Sequence, residues 1–140
     1  MKITLYYSPG ACSLAPHIVL REAGYKFETE KVDIPNKKTA GGDDFWKINP
    51  KGYVPVLELG DDVCLTEVAA IVQYIADRIP ESGLAPRPFT LERYRLQEWL
   101  GFVGAELHKA FVPLFKPDTP DDYKRSVRES LAARLGYVAA

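Results

Sequence analysis

The sequence predicts an α/β N-terminal domain followed by part of an all-α domain, and three observations carry that prediction. Over residues 1–80, segments of β-branched and aromatic character alternate with segments whose apolar residues recur every three or four positions. Pro80, Gly83, Pro86 and Pro88 then crowd one short stretch, which marks 81–88 as a linker. From 89 to 140 the patterning is helical throughout.

Taken in order, Lys2 to Tyr7 reads as a strand that Ser8-Pro9-Gly10 ends. Ser13 to Ala23 reads as a helix with an apolar face of Leu14, Ala15, Ile18, Val19 and Ala23, closed by Gly24. Pro16 is tolerated there because first-turn amides have no partner inside a helix. Residues 25–32 alternate as a second strand, and 33–42 form a loop rich in Pro, Asn, Lys and Gly. A short helix over 43–48 stops at Asn49-Pro50. Strands over 53–59 and 63–65 flank a hairpin turn at Gly60-Asp61-Asp62. Val68, Ile71, Val72, Ile75 and Ile79 then mark a third helix, with Thr66 as its cap and Glu67 in its first turn.

Beyond the linker, a long helix spans roughly 90–110, and Pro113 and Pro117 end or kink its continuation. Thr119-Pro120-Asp121-Asp122 opens a last helix as cap, first position and capping-box acid, and that helix carries Val127, Leu131 and Leu135 to a stop near Gly136. Two such helices do not close a bundle core, so the helical domain is expected to be a part, covered by a partner subunit or by further chain.

The chain has 140 residues, 46% of them hydrophobic, enough for a packed core. Its 18 Lys and Arg against 19 Asp and Glu are mixed along the chain, so there is no charge footprint for nucleic acid or an anionic membrane. No apolar run approaches the ~20 residues of a bilayer span, and the N-terminus lacks the form of a secretory signal. Cys12 and Cys64 make neither a disulfide framework nor a Cys-x-x-Cys pair, which fits a reduced, cytoplasmic protein. His17 and His108 have no neighbouring ligand cluster, so no metal site is expected.

Several residues stand out for chemistry. Cys12 sits between a Pro-Gly turn and a helix start, where amides and the helix dipole favour a thiolate; a small buried hydrophobe fits the same position. The residue three after it is Ala15, so dithiol redox chemistry is unavailable. Cys64, among Val63 and Leu65, reads as core. At Val54-Pro55 a proline at the mouth of a strand fits a cis bond that leaves Val54 backbone groups for an extended peptide ligand, and fits a plain turn equally. Glu67 suits an α-ammonium as well as it suits the helix dipole. Lys37-Lys38 is a solvated pair unless a ligand brings carboxylates, and His108-Lys109 complements a helix C-terminus.

Taken together, YYSPGACSLAPHIVLREAG, VDIPNKKT, FWKINPKGYVPVLEL, LTEVAAIVQYIAD and LERYRLQEWLGFVGAELHKAFVPLF resemble, in register, a bacterial glutathione transferase of the beta class. The resemblance implies a thioredoxin-like N-terminal domain, part of an all-helical C-terminal domain, a homodimer, and glutathione as co-substrate for conjugation to a small hydrophobic electrophile. It further implies thiol transfer or peroxide reduction as a side activity. By the same resemblance Cys12 lies close to the glutathione sulfur and Lys37 contacts glutathione from its loop. Val54 would pair its backbone with the cysteinyl part beside cis Pro55, and Glu67 and Val68 would receive the γ-glutamyl end. His108 and Lys109 would border the site, with the lysine reaching across the dimer. Three departures are visible: Val68 stands where the family commonly has Ser or Gly, Gly101 where it commonly has Asn, and family members continue for several more helices. A chain that keeps binding but lacks catalysis, a glutathione-binding or dimerisation scaffold, is the alternative this length suggests.

Overall fold

A computed structural model describes residues 2–61 and 63–140. They form two compact units, one up to Pro88 and one from Phe89.

In the first unit, strands β1 (Thr4–Tyr7), β2 (Glu28–Asp33), β3 (Lys38–Thr39), β4 (Val56–Glu58) and β5 (Cys64–Thr66) make one mixed sheet in the order β3-β2-β1-β4-β5. Only β1 and β2 run parallel, joined by helix α1 (Leu14–Glu22); the other pairings are antiparallel. Helix α2 (Phe45–Ile48) precedes β4, and α3 (Val68–Arg78) follows β5. This is the thioredoxin-like arrangement expected. Side chains alternate across the sheet. Leu5 and Leu57 join Leu20, Ile71 and Ile75 in the core between the sheet, α1 and α3. Val32 and Val56 on the other face join Phe45 of α2.

The differences from the expected elements have local causes. On α1 the buried stripe is Ser13, Pro16, Leu20 and Ala23, while Leu14 and Ile18 are exposed. The helix carries two apolar stripes, and the sheet takes the one containing Leu20. Gly24, at φ +71°, ends the helix with the Tyr25 amide donating to the Leu20 carbonyl at 3.0 Å. β3 falls in the expected loop: the Asp33 carboxylate accepts from the Asn36 amide and side chain, turning the chain so that Lys38 and Thr39 return along β2. Those same bonds hold the Asp33 carboxyl below its usual range. Cys64 is exposed, not core. It lies on the sheet's edge strand opposite Glu58, and its neighbour Leu65 points to the α1/α3 core instead. The β4–β5 turn keeps Val63 N donating to Gly60 O at 3.0 Å; Asp62 of the expected hairpin lies outside the described residues. Thr66 ends β5 and does not cap α3; the cap position is Glu67, without a side-chain capping bond.

The second unit comprises α4 (Leu91–Phe102), a π-helical turn (Val103–His108), a 3-10 turn (Lys109–Phe111), α5 (Val112–Phe115) and α6 (Asp121–Ala139). Thr90 caps α4 by accepting from the Arg93 amide at 3.2 Å. The expected helix over 90–110 thus passes through a π turn and continues to Phe115, so His108 and Lys109 do not sit at a helix C-terminus. Pro120, not Thr119, is the cap of α6, one residue later than the sequence reading, and α6 passes Gly136 to Ala139. Arg134 of α6 pairs with Glu106 of the π turn at 2.9 Å. Trp99 stacks on Tyr137, and Phe102 meets both edge-on.

Candidate functional site

The site grows from the C-terminal end of β1. Ser8-Pro9-Gly10 turns the chain, with Gly10 at φ +74° where a side chain is disfavoured. Buried Ser13 clamps that turn: its hydroxyl donates to the Ser8 carbonyl and accepts from the Ser8 amide, both at 3.2 Å. Cys12, between turn and helix, is half-buried, and its thiol donates to the Val54 carbonyl at 3.6 Å. The Leu14 and Ala15 amides bond to the Ala11 and Cys12 carbonyls, at 3.1 and 3.2 Å. Two of the donors the sequence reading offered to a thiolate are therefore occupied. The sulfur is positioned by the neighbouring loop as well as by the helix start.

That loop, Asn49 to Pro55, is pinned from three sides. Asn49, 3% exposed, donates from its side chain to the Tyr53 carbonyl at 2.7 Å and accepts from the Lys51 amide at 3.1 Å. Lys37, reached through the β2–β3 connection, donates from Nζ to the Gly52 carbonyl at 2.7 Å. Its ammonium also lies 5.3 Å from the Trp46 ring and 5.4 Å from the Tyr53 ring, within cation–π range. From the opposite side, Lys51 Nζ meets the Thr66 hydroxyl at 2.8 Å and Glu67 Oε1 at 2.6 Å. The Val54-Pro55 bond is cis, and the Val54 side chain is buried beside Phe45 and Val56.

Cys12, Lys37, Val54, Pro55, Glu67 and Val68 of the sequence reading are thus gathered at one corner of the first unit, linked through residues 51–54. Glu67 holds φ +71°, and Val68 opens α3. His108 and Lys109 are carried by the second unit, exposed where the π turn meets the 3-10 turn. The sequence reading missed Ser13, Asn49 and Lys51. Asn49 read only as a helix stop, and no sequence spacing reveals a pair 16 residues apart such as Lys51 and Glu67. Chemically, the corner presents a thiol, a backbone carbonyl at a strand mouth, two ammonium groups and one carboxylate. Such a set suits an extended peptide carrying charged ends. Among the described residues no His, Cys, Asp and Glu cluster suits a metal, and no helix is long and apolar enough to cross a membrane.

The sequence profile of the glutathione S-transferase N-terminal domain matches residues 1–77. The glutathione S-transferase GstA of Escherichia coli O157:H7 is 50% identical over 134 residues, covering 96% of this chain and 67% of GstA. Among solved structures, the ternary complex of BphK, a bacterial glutathione S-transferase, superposes with a TM-score of 0.94 at 58% identity, over 97% of this chain and 68% of BphK. A sphingomonad glutathione S-transferase complexed with glutathione gives a TM-score of 0.92 at 53% identity, over 96% of this chain and 67% of its own. The chain therefore spans about two thirds of the length of these relatives.

Proposed function

Since the chain belongs to the glutathione S-transferase family, on its bacterial beta-class side, we propose that its first unit binds glutathione as co-substrate and joins it to small hydrophobic electrophiles. The observation that carries the reading is the corner where the Cys12 thiol lies 3.6 Å from the Val54 carbonyl between Lys37 and Glu67. Glutathione lies extended along the Val54 backbone. Lys37 attracts a ligand carboxylate, and Glu67, with the Val68 amide, receives the γ-glutamyl end. The glutathione thiol gives up its proton, and the thiolate attacks the electrophilic carbon; a halide or similar group leaves, or a conjugate addition is completed by protonation.

Cys12 carries a second reaction. Its thiolate attacks the glutathionyl sulfur of a mixed disulfide and expels the other thiolate; a second glutathione thiolate then attacks the Cys12 mixed disulfide, giving glutathione disulfide and restoring Cys12. By the family pattern His108 borders the reacting groups, Lys109 reaches glutathione across a homodimer, and the setting is the reducing cytoplasm. The relative solved with glutathione supports the ligand.

The test is calorimetric titration of the 140-residue chain with glutathione, followed by an absorbance assay with an activated chloroarene. Saturable binding together with conjugation supports the enzyme. Binding without conjugation of any electrophile leaves the non-catalytic scaffold, and no binding removes both.

A further inference from the structure

Lys51 lies outside every residue set the family resemblance assigns, yet it makes the shortest polar contact at the corner, 2.6 Å from Nζ to Glu67 Oε1, and a second to Thr66 Oγ1 at 2.8 Å. Its partner is an unusual residue. Glu67 is not glycine but holds φ +71°, a conformation costing on the order of 1–3 kcal/mol, and it gives α3 no side-chain cap in return. A strained backbone that does not serve the helix is retained where the aim of its side chain matters. The ion pair contributes little to holding the fold. Its side chains are 52% and 70% exposed, and pairs so exposed are worth at most about 1 kcal/mol. The loop carrying Lys51 is nonetheless fixed, by Asn49 at its base and by Lys37 on the Gly52 carbonyl. A cation and an anion are therefore presented side by side, on rigid supports, in an easily opened pair.

An α-amino acid end is the mirror of that arrangement: an ammonium and a carboxylate on one carbon. We infer that Lys51 is a ligand-binding residue that reads the α-carboxylate of the γ-glutamyl end while Glu67 reads its α-ammonium, so that the Lys51–Glu67 pair selects zwitterionic amino acid ends. Binding exchanges one exposed ion pair for two charge-assisted contacts in a square of alternating charge. A ligand lacking either charge leaves one member of the square facing its own neighbour only. The inference rests on the glutathione-binding reading and deepens it by naming what the γ-glutamyl end must carry.

The experiment uses the full chain, wild type, Lys51→Met and Lys51→Arg, with three probes measured by titration calorimetry. These are glutathione, 4-aminobutanoyl-cysteinylglycine, which lacks the α-carboxylate, and glutaryl-cysteinylglycine, which lacks the α-ammonium. Wild type should prefer glutathione to the decarboxy probe by about tenfold, the equivalent of one charge-assisted contact. Lys51→Met should bind the two within about twofold of each other while still preferring glutathione to the glutaryl probe, because Glu67 remains. Lys51→Arg should restore the wild-type preference. A Lys51→Met protein that discriminates against the decarboxy probe as strongly as wild type overturns the inference while leaving glutathione binding intact. So does a parallel loss of affinity for all three probes, which is what a purely structural lysine would produce. Wild type that binds no glutathione removes the underlying reading and this one with it.

Discussion

At the scale of single residues, Cys12 and Tyr6 show how a neighbour decides what a side chain does. Cys12 is held against the Val54 carbonyl, beside the path assigned to glutathione rather than within a two-cysteine site. Replacing Cys12 by Ala should abolish transfer of glutathione from a mixed disulfide and leave conjugation within a few-fold, since conjugation uses the sulfur of glutathione itself. Parallel assays of both reactions on the purified variant check this; unchanged rates in both would remove any chemical role for Cys12. Tyr6 sits across the sheet from that chemistry. Burial, then its hydrogen bond to Glu58 at 3.1 Å, raises the phenol above its ordinary value of 10.0. Below pH 10.0 the phenol is neutral in folded and unfolded chains alike, so its contribution is fully present. Above it, the unfolded chain loses a proton that the folded one keeps, and stability falls as pH rises. Tyr6→Phe should therefore flatten the alkaline limb of a urea-midpoint against pH curve, and an identical limb in the variant would contradict the assignment.

At the scale of elements, the positions without slack are short ones. Gly52 holds φ +67°, and a Cβ there would stand 2.7 Å from the Trp46 ring. Gly52→Ala should cost at least about 1–2 kcal/mol from backbone conformation alone, with weaker glutathione binding because Lys37 and Lys51 both depend on this turn. Urea unfolding followed by tryptophan fluorescence, beside a binding titration, measures the two effects. Asp44 caps the four-residue α2 by accepting from the Trp46 amide at 3.1 Å. Asp44→Ala should lower stability by about 1 kcal/mol, read from the same urea curves. These elements also show what was legible in the sequence. The order of strands and helices could be read because Leu5, Leu57, Ile71 and Ile75 repeat with the periods of their elements. β3 could not, because two residues have no period, and only the Asp33–Asn36 turn directs them back to β2. Cys64 and Leu14 misled for a related reason: apolar character marks what can be buried, while the sheet edge and the choice between two helix stripes decide what is. At the site, Cys12, Val54-Pro55 and Glu67 were visible as local anomalies. Lys51 was not, since its meaning depends on a contact across the β4–β5 hairpin.

At the scale of the whole molecule, the second unit buries few of its side chains: only Arg93, Leu107 and Leu131 are fully buried among its described residues. Leu91, Tyr94, Phe115 and Tyr137 stay exposed. The homodimer expected from the family gives such residues somewhere to go, and light scattering after size exclusion should return twice the 15.7 kDa of the chain. A monomer at micromolar concentration would remove the dimer and, with it, any reach of Lys109 across it. The π turn over Val103–His108 has a consequence for how this unit tolerates changes in chain length. A π turn holds one more residue than an α turn spends on the same rise, so everything after it is advanced by about 100° around the helix axis. The turn is an insertion already absorbed. Removing one residue, Gly104 for example, would let the helix run as a regular coil and swing His108 and Lys109 to a different azimuth from α4. The Glu106–Arg134 clasp would break in the same movement. Residue substitutions around 103–108 change side chains, whereas a single-residue deletion there would re-aim two charged groups without altering either of them.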